Sequence, residues 1–127
     1  MGLVRLIYVS RVGKQVRLGD AEAIAESSAV TNERHGLTGF LLYTPEYFVQ
    51  VLEGEAARVE ATFARIERDE RHTDVQRLRF EPIEQRQFAE WSMGFAFMRQ
   101  FDQSTEGRPV TEWDADALLE RMLSIAR

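Results

Sequence analysis

Cysteine is absent from the sequence, and histidine occurs only twice, as His35 and His72. Without cysteine the chain has no disulfide bond, no thiolate metal ligand and no cysteine nucleophile. Two histidines are also too few for a histidine-rich metal site. We therefore expect no bound metal and no chemistry that passes through a thiol.

Long apolar runs and clustered positive charge are missing as well. No stretch approaches the ~20 apolar residues of a transmembrane helix, and residues 1–5 do not begin a secretory signal. The 16 Lys and Arg residues are scattered and outnumbered by 21 Asp and Glu residues, so the net charge is -5. Nucleic-acid binding depends on clustered positive charge, so we expect no contact with nucleic acid. The lack of a transmembrane helix and of a secretory signal predicts a cytoplasmic protein that does not contact a membrane.

The remaining composition is typical of one folded domain. The 127 residues are 44% hydrophobic, and no repeat, low-complexity tract or Pro/Gly-rich linker divides them. The apolar patterns predict strands over residues 3–10, 37–44, 47–53, 75–83 and 94–98. They predict helices over residues 20–36, 55–70 and 111–125. Asp20 is the predicted N-cap of the first helix, and Gly36 its C-terminal stop.

This order of elements predicts an α+β fold of the ferredoxin-like β-α-β-β-α-β type, with an additional fifth strand and a C-terminal helix. Two helices should cover one face of the sheet. On the first strand, Ile7 and Val9 point to the other face and are apolar too. We therefore expect the last helix or another subunit to cover that second face.

Two amide side chains fall on faces that should be core. Strand periodicity puts Gln50 between Phe48 and Leu52, and helical periodicity puts Asn32 on an inward side. A buried amide without a partner costs about 1–3 kcal/mol, so both need partners. Considered singly, each amide has a purely structural explanation. Gln50 could be a core residue bonded to Tyr8, and Asn32 could bond only the backbone carbonyls at the end of its helix.

Considered together, these residues describe a slot with a polar edge. The hydroxyls and amides that converge there belong to Tyr8, Ser28, Asn32 and Gln50, and its apolar walls are Ile24 and Ile66. A flat, mostly apolar ring with a polar edge suits such a slot. The pattern predicts a flat heterocyclic ligand without naming it.

Six fragments occur in an order that is specific. They are LIYVS (residues 6–10), NERHGLTG (32–39), FLLY (40–43), FVQVLEG (48–54), DERH (69–72) and FAEWSMGF (88–95). Together they resemble the BLUF family, blue-light sensors that use flavin adenine dinucleotide (FAD). One departure is the hairpin turn TPEY (44–47), which lacks the usual glycine and affects the turn rather than the site.

The resemblance covers nearly the whole chain up to Met98. It implies the fold given above, with a flavin bound non-covalently between the first two helices. FAD is the expected cofactor, and FMN is the alternative. We expect residues 1–98 to form the flavin-binding core, and residues 99–127 to form a helical extension packed on the sheet or at an oligomer interface.

Two residues carry the photochemistry that the resemblance implies, and a third binds the flavin edge beside them. Tyr8 matches the photoactive tyrosine, which gives an electron and a proton to the excited flavin. Gln50 matches the glutamine that links this tyrosine to flavin N5 and O4, and Asn32 matches the residue at the C4=O and N3 edge. Flipping or tautomerising the Gln50 amide would strengthen a hydrogen bond to O4 and shift absorption to longer wavelength.

The other implied contacts surround the ring. Ser28 matches a polar contact, and Ile24 and Ile66 match the apolar walls. Arg71 and His72 match residues at the polar end, near flavin O2 or the ribityl-phosphate. Without the family, these last two residues fit equally well in a solvated loop after a helix.

Signal output is implied through Trp91 and Met93, which match two residues that compete for the place beside the glutamine. Considered alone, each fits a simple core or surface-hydrophobic position. Because the chain ends soon after the last helix, we expect a homo-oligomer and a separate downstream effector protein. Two alternatives to a non-catalytic sensor stay open: a small flavin-binding enzyme and a light-independent regulatory binding module.

Overall fold

The computed structural model describes residues 2–99 and 113–126. Its elements are β1 (Leu3–Val12), α1 (Leu18–His35), β2 (Thr38–Tyr43), β3 (Tyr47–Glu55), α2 (Ala56–Glu67), β4 (His72–Ile83), β5 (Gly94–Phe97) and α3 (Ala115–Ala126). The sheet order is β4-β1-β3-β2-β5, with β5 parallel to β2 and the other neighbours antiparallel. The predicted ferredoxin-like α+β fold, with its fifth strand and C-terminal helix, is confirmed.

The start of α1 differs from the prediction, and its end agrees. Asp20 is not the N-cap: that position belongs to Arg17, whose backbone N–H donates to the Asp20 carboxylate at 2.8 Å. Asp20 is the third residue of the helix, and an acidic side chain at that position accepts a hydrogen bond from the N-cap backbone. The helix therefore starts two residues before Asp20. Gly36 ends the helix as predicted, with a left-handed φ of 68° that glycine adopts without steric cost.

Other boundaries differ too, and for two strands the reason is pairing beyond the predicted ends. β1 continues to Val12 and β4 begins at His72, since these two residues still pair at the end of the ladder. α2 ends at Glu67, before the predicted residue 70. The predicted start of the last helix, at Thr111, lies outside the described residues.

Both faces of the sheet are covered. On one face, two apolar clusters join the sheet to α1 and α2; their buried residues are Val4, Leu6, Tyr8, Leu37, Leu52, Val59 and Phe63, and Val16, Ala21, Ala25, Leu41, Tyr43 and Phe48. On the other face, Ile7 and Val9 share a cluster with Leu118 and Met122 of α3. Of the two coverings expected for that face, the structure therefore shows the chain's own last helix.

No helix in the described part of the chain is both long and apolar enough to cross a membrane.

Candidate functional site

A tyrosine and a glutamine on adjacent strands form the centre of the site. Tyr8 on β1 lies directly opposite Gln50 on β3 in the antiparallel register. The Tyr8 hydroxyl donates to Gln50 Oε1 at 2.5 Å, and both side chains are buried. The ring of Phe63 packs beside the tyrosine, with ring centroids 5.5 Å apart. The phenol proton is thus aimed at one defined acceptor.

Burial keeps this phenol protonated. The apolar surroundings raise the pKa of Tyr8 well above its usual value, and the negative charge of Asp69 raises it further. The hydroxyl is therefore a hydrogen-bond donor at neutral pH, and the pair holds one proton between two oxygens.

The other end of the Gln50 amide has a much weaker partner. Its Nε2 donates to Met93 Sδ at 3.5 Å, and a thioether sulfur is a poor acceptor. Met93 therefore occupies the place beside the glutamine. Trp91 lies outside it with 41% of its surface exposed, and its ring meets the edge of Phe40 at 6.3 Å between centroids.

Asn32, in the last turns of α1, binds the residue next to Met93. It is buried, and its Nδ2 donates to the backbone carbonyl of Ser92 at 2.9 Å. The local alternative, in which this amide bonds only carbonyls of its own helix, is not what the structure shows. Asn32 and Gln50 thus contact Ser92 and Met93, two neighbouring residues of one segment.

The slot lies between α1 and α2, above the centre of the sheet. A cavity of about 80 Å³ is lined by Tyr8, Ile24, Ser28, Leu41, Phe48, Gln50, Ile66, Asp69, Arg71 and His72. An adjoining cavity of about 150 Å³ is lined by Ser27, Ser28, Thr31, Asn32, Gln50, Thr62, Arg65, Ile66 and Asp69. Ile24 of α1 and Ile66 of α2, the two predicted wall residues, both line the first cavity.

An ion pair closes one end of the slot. The Arg71 guanidinium forks onto the Asp69 carboxylate, with Nε–Oδ1 2.9 Å and Nη2–Oδ2 2.5 Å. The hydrogen bonds from Arg71 lower the pKa of Asp69 from 3.8 to about 2. The carboxylate is therefore ionised at neutral pH and places a fixed negative charge at the rim.

His72 is held by protein groups on both ring nitrogens. Nδ1 lies 2.7 Å from Ser10 Oγ, and Nε2 lies 2.6 Å from the backbone oxygen of Ile66. A carbonyl can only accept, so Nε2 carries the proton in this arrangement, and in the neutral ring Nδ1 accepts from the serine. The imidazole lines the cavity while its nitrogens fix the wall residue Ile66 to β1.

This arrangement suits a flavin ring. Branched and aromatic side chains line the slot together with amide and hydroxyl groups, a combination that suits an apolar tricyclic ring with a polar pyrimidine end. Within residues 2–99 and 113–126, no group of three His, Asp or Glu side chains is close enough to hold a metal ion.

Comparison with known proteins gives the same result. A family model, BLUF, described as sensors of blue light using FAD, matches residues 3–94. The chain belongs to the BLUF family. It is therefore a flavin-binding domain of the blue-light-sensing class.

The curated relatives of this BLUF chain are much longer proteins. The photoactivated adenylate cyclase subunit beta of Euglena longa is 35% identical over 92 residues, which are 72% of this chain and 11% of that protein. The BLUF chain thus matches about a tenth of the relative's length.

Solved BLUF structures share the fold. BlrB, in a dark-state structure, is 38% identical with a TM-score of 0.73, covering 76% of this chain and 73% of its own. The ground state of BlsA is 27% identical with a TM-score of 0.84, covering 95% of this chain and 87% of its own.

Most of the predicted BLUF site residues come together. The two cavities are lined by all eight predicted photochemical and cofactor-binding residues: Tyr8, Ile24, Ser28, Asn32, Gln50, Ile66, Arg71 and His72. Of the two predicted relay residues, Met93 accepts a hydrogen bond from Gln50.

Asp69 lines both cavities, yet sequence reasoning gave it no role. The available signal was its position two residues before Arg71 in the DERH fragment, a spacing that lets the two side chains pair within one tight turn.

Proposed function

We propose that this chain senses blue light through a hydrogen-bond rearrangement of Tyr8 and Gln50 around a flavin bound non-covalently in the slot. The observation that carries the proposal is the buried 2.5 Å hydrogen bond from Tyr8 to Gln50 at the slot's polar edge. When bound, the flavin supplies a chromophore that absorbs blue light and, once excited, accepts electrons.

The protein's part in the response is to hold and move a proton. Tyr8 presents its proton along the short bond to Gln50 Oε1, while Gln50 Nε2 is retained only by the weak acceptor Met93. An amide can exchange its donor and acceptor ends by rotation or by tautomerisation. Because one end is held firmly and the other loosely, loss of the tyrosine bond frees Gln50 to rearrange.

Cofactor binding is proposed for the residues that line the slot. Ile24 and Ile66 would hold the two ring faces, and Ser28 and Asn32 would bind the polar edge beside Gln50. Arg71 and His72 line the end nearest Asp69, where each is already bonded to protein, so we propose positioning roles for them.

FAD is the proposed flavin, in line with the family's description. FMN is the alternative, because a BlrP1 structure from Klebsiella pneumoniae, 30% identical with a TM-score of 0.72, is described with FMN. Chromatography of the flavin released from purified protein distinguishes the two.

The proposed output is an altered association rather than catalysis by this chain. The relative from Euglena longa is named a photoactivated adenylate cyclase subunit, and the region that matches this chain is 11% of that protein. We propose that this BLUF core (residues 1–98) acts in the cytoplasm, signals to a separate effector and forms a homo-oligomer. Because α3 covers the second sheet face, the candidate contact surface lies around the exposed side chains of Trp91 and Phe97.

Two measurements test this proposal. A visible absorption spectrum before and after blue illumination should show a flavin spectrum with a reversible red shift, and a bound flavin whose spectrum stays fixed would contradict it. Size-exclusion chromatography with light scattering, in darkness and under blue light, should show an oligomer. A monomer in both states at high concentration would contradict the homo-oligomer.

A further inference from the structure

A buried carboxylate lies on the sheet face opposite the flavin slot. Glu53 on β3 is fully buried, and its partner in the β1 register is Arg5. Its Oε2 accepts from Arg5 Nε at 3.0 Å, and its Oε1 accepts from the backbone N–H groups of Phe88 at 2.8 Å and Gln87 at 3.1 Å. A buried charge needs such partners, so this arrangement is a built feature of the fold.

The two amide donors belong to the connecting segment, residues 84–93, which joins β4 to β5. A third residue of this segment, Arg86, reinforces the attachment. Its guanidinium donates to the backbone oxygens of Gly36 at 2.7 Å and Glu53 at 3.2 Å, and to Thr38 Oγ1 at 3.0 Å. The first half of the connecting segment is therefore held by charge-assisted hydrogen bonds.

The second half of the same segment is held more weakly, by residues around the slot. Asn32 donates to the Ser92 carbonyl, and Gln50 donates to the sulfur of Met93 at 3.5 Å. The Gly39 N–H donates to the Trp91 carbonyl at 3.0 Å. These contacts are neutral, and the one to sulfur is intrinsically weak.

Glu53 and Gln50 are three residues apart on one paired strand, so their side chains lie on opposite faces while their backbones move together. We propose that Glu53 is a positioning residue for the light response, a conclusion that rests on the function proposed above. Glu53 fixes the start of the connecting segment relative to Gln50. When the Gln50 side-chain amide rearranges, only the end of the segment that carries Trp91 and Met93 therefore moves. The anchor thereby sets how firmly Met93 is held against Gln50, and so how fast the light state decays.

The test compares two double variants. Removing Glu53 alone would leave the buried Arg5 guanidinium with only the partly exposed Glu81 as an ionic partner, at 3.2 Å, so both variants carry Arg5→Met. Arg5→Met/Glu53→Gln keeps a carbonyl oxygen that can accept from Gln87 and Phe88, whereas Arg5→Met/Glu53→Met keeps the volume without that acceptor.

The readout is the rate of dark recovery after blue illumination. Both variants should show the red shift, and the Glu53→Met variant should recover about threefold faster or more, as expected for residues of one coupled network. In a Met93→Ala background this difference should disappear. Equal recovery rates, or a difference that persists without Met93, would overturn the positioning role.

Hydrogen exchange in darkness separates failure of this inference from failure of the proposed function. The amides of Gln87 and Phe88 should be protected in the Glu53→Gln variant and exchange faster in the Glu53→Met variant, whether or not light shifts the spectrum. Equal protection overturns the anchor, while a wild-type protein without a red shift overturns the proposed function.

If the Glu53→Met variant does not fold, the wild-type protein supplies the test. Under illumination its amides at 87 and 88 should stay protected while those at 91–93 change. Loss of protection at 87 and 88 would overturn the inference.

Discussion

Replacing Tyr8 by Phe removes one hydroxyl and leaves the ring in place. The ring keeps its contact with Phe63, but Gln50 Oε1 loses the donor that stands 2.5 Å away. A buried acceptor left without its donor costs about 1–3 kcal/mol, which for a domain of this size lowers the melting temperature by several degrees. We expect Tyr8→Phe to be folded and yellow, slightly less stable than wild type, and without the normal light-induced red shift.

Tyr43→Phe is the matched control. Tyr43 is also a buried sheet tyrosine whose ring packs on Phe48, but its hydroxyl is not part of the Tyr8–Gln50 pair. The assay is a light-minus-dark difference spectrum of each purified variant, with thermal unfolding followed in parallel. The control should retain the red shift. A Tyr8→Phe protein with a wild-type red-shifted state would refute the photochemical role of Tyr8.

Two further predictions concern Trp91 and Asp69. Trp91→Phe should change dark recovery or signalling while leaving the primary red shift, because Met93 rather than Trp91 contacts Gln50; complete loss of the shift would show that the roles are misassigned. Asp69 has a lowered pKa, so its ionised form stabilises the folded state above pH 3.8, and this contribution falls away as the pH drops toward about 2. Stability curves of wild type and Asp69→Asn should therefore differ at neutral pH and converge near pH 2; a constant difference would contradict the pairing with Arg71.

Sequence periodicity predicted a slot with a polar edge, and the family resemblance supplied the roles of its residues. Alternation along β1 and β3 put Tyr8 and Gln50 on the same face, and helical spacing put Ser28 and Asn32 on one side of α1. These relations depend on local geometry, which a sequence expresses directly. The ferredoxin-like fold and the covering of one sheet face by two helices followed from the order of elements, whereas the covering of the second face was left open between the last helix and another subunit.

Other features depended on contacts between distant parts of the chain. Both nitrogens of His72 are satisfied by Ser10 and Ile66, which come together only when β4 pairs with β1. Met93 rather than Trp91 lies beside Gln50. Both residues belong to a segment without a periodic apolar pattern, so the sequence did not distinguish between them. Glu53 looked like an ordinary strand residue, because its partners at positions 87 and 88 are more than 30 residues away.

The most direct test of the account is the light-minus-dark absorption spectrum of Gln50→Leu beside that of wild type. Leucine fills a similar volume but offers neither a donor nor an acceptor, so the slot should still bind flavin while the rearrangement becomes impossible. Wild type should show a reversible red shift, and Gln50→Leu should be yellow with none. A Gln50→Leu protein that shifts like wild type would contradict the claim that this amide is the switch.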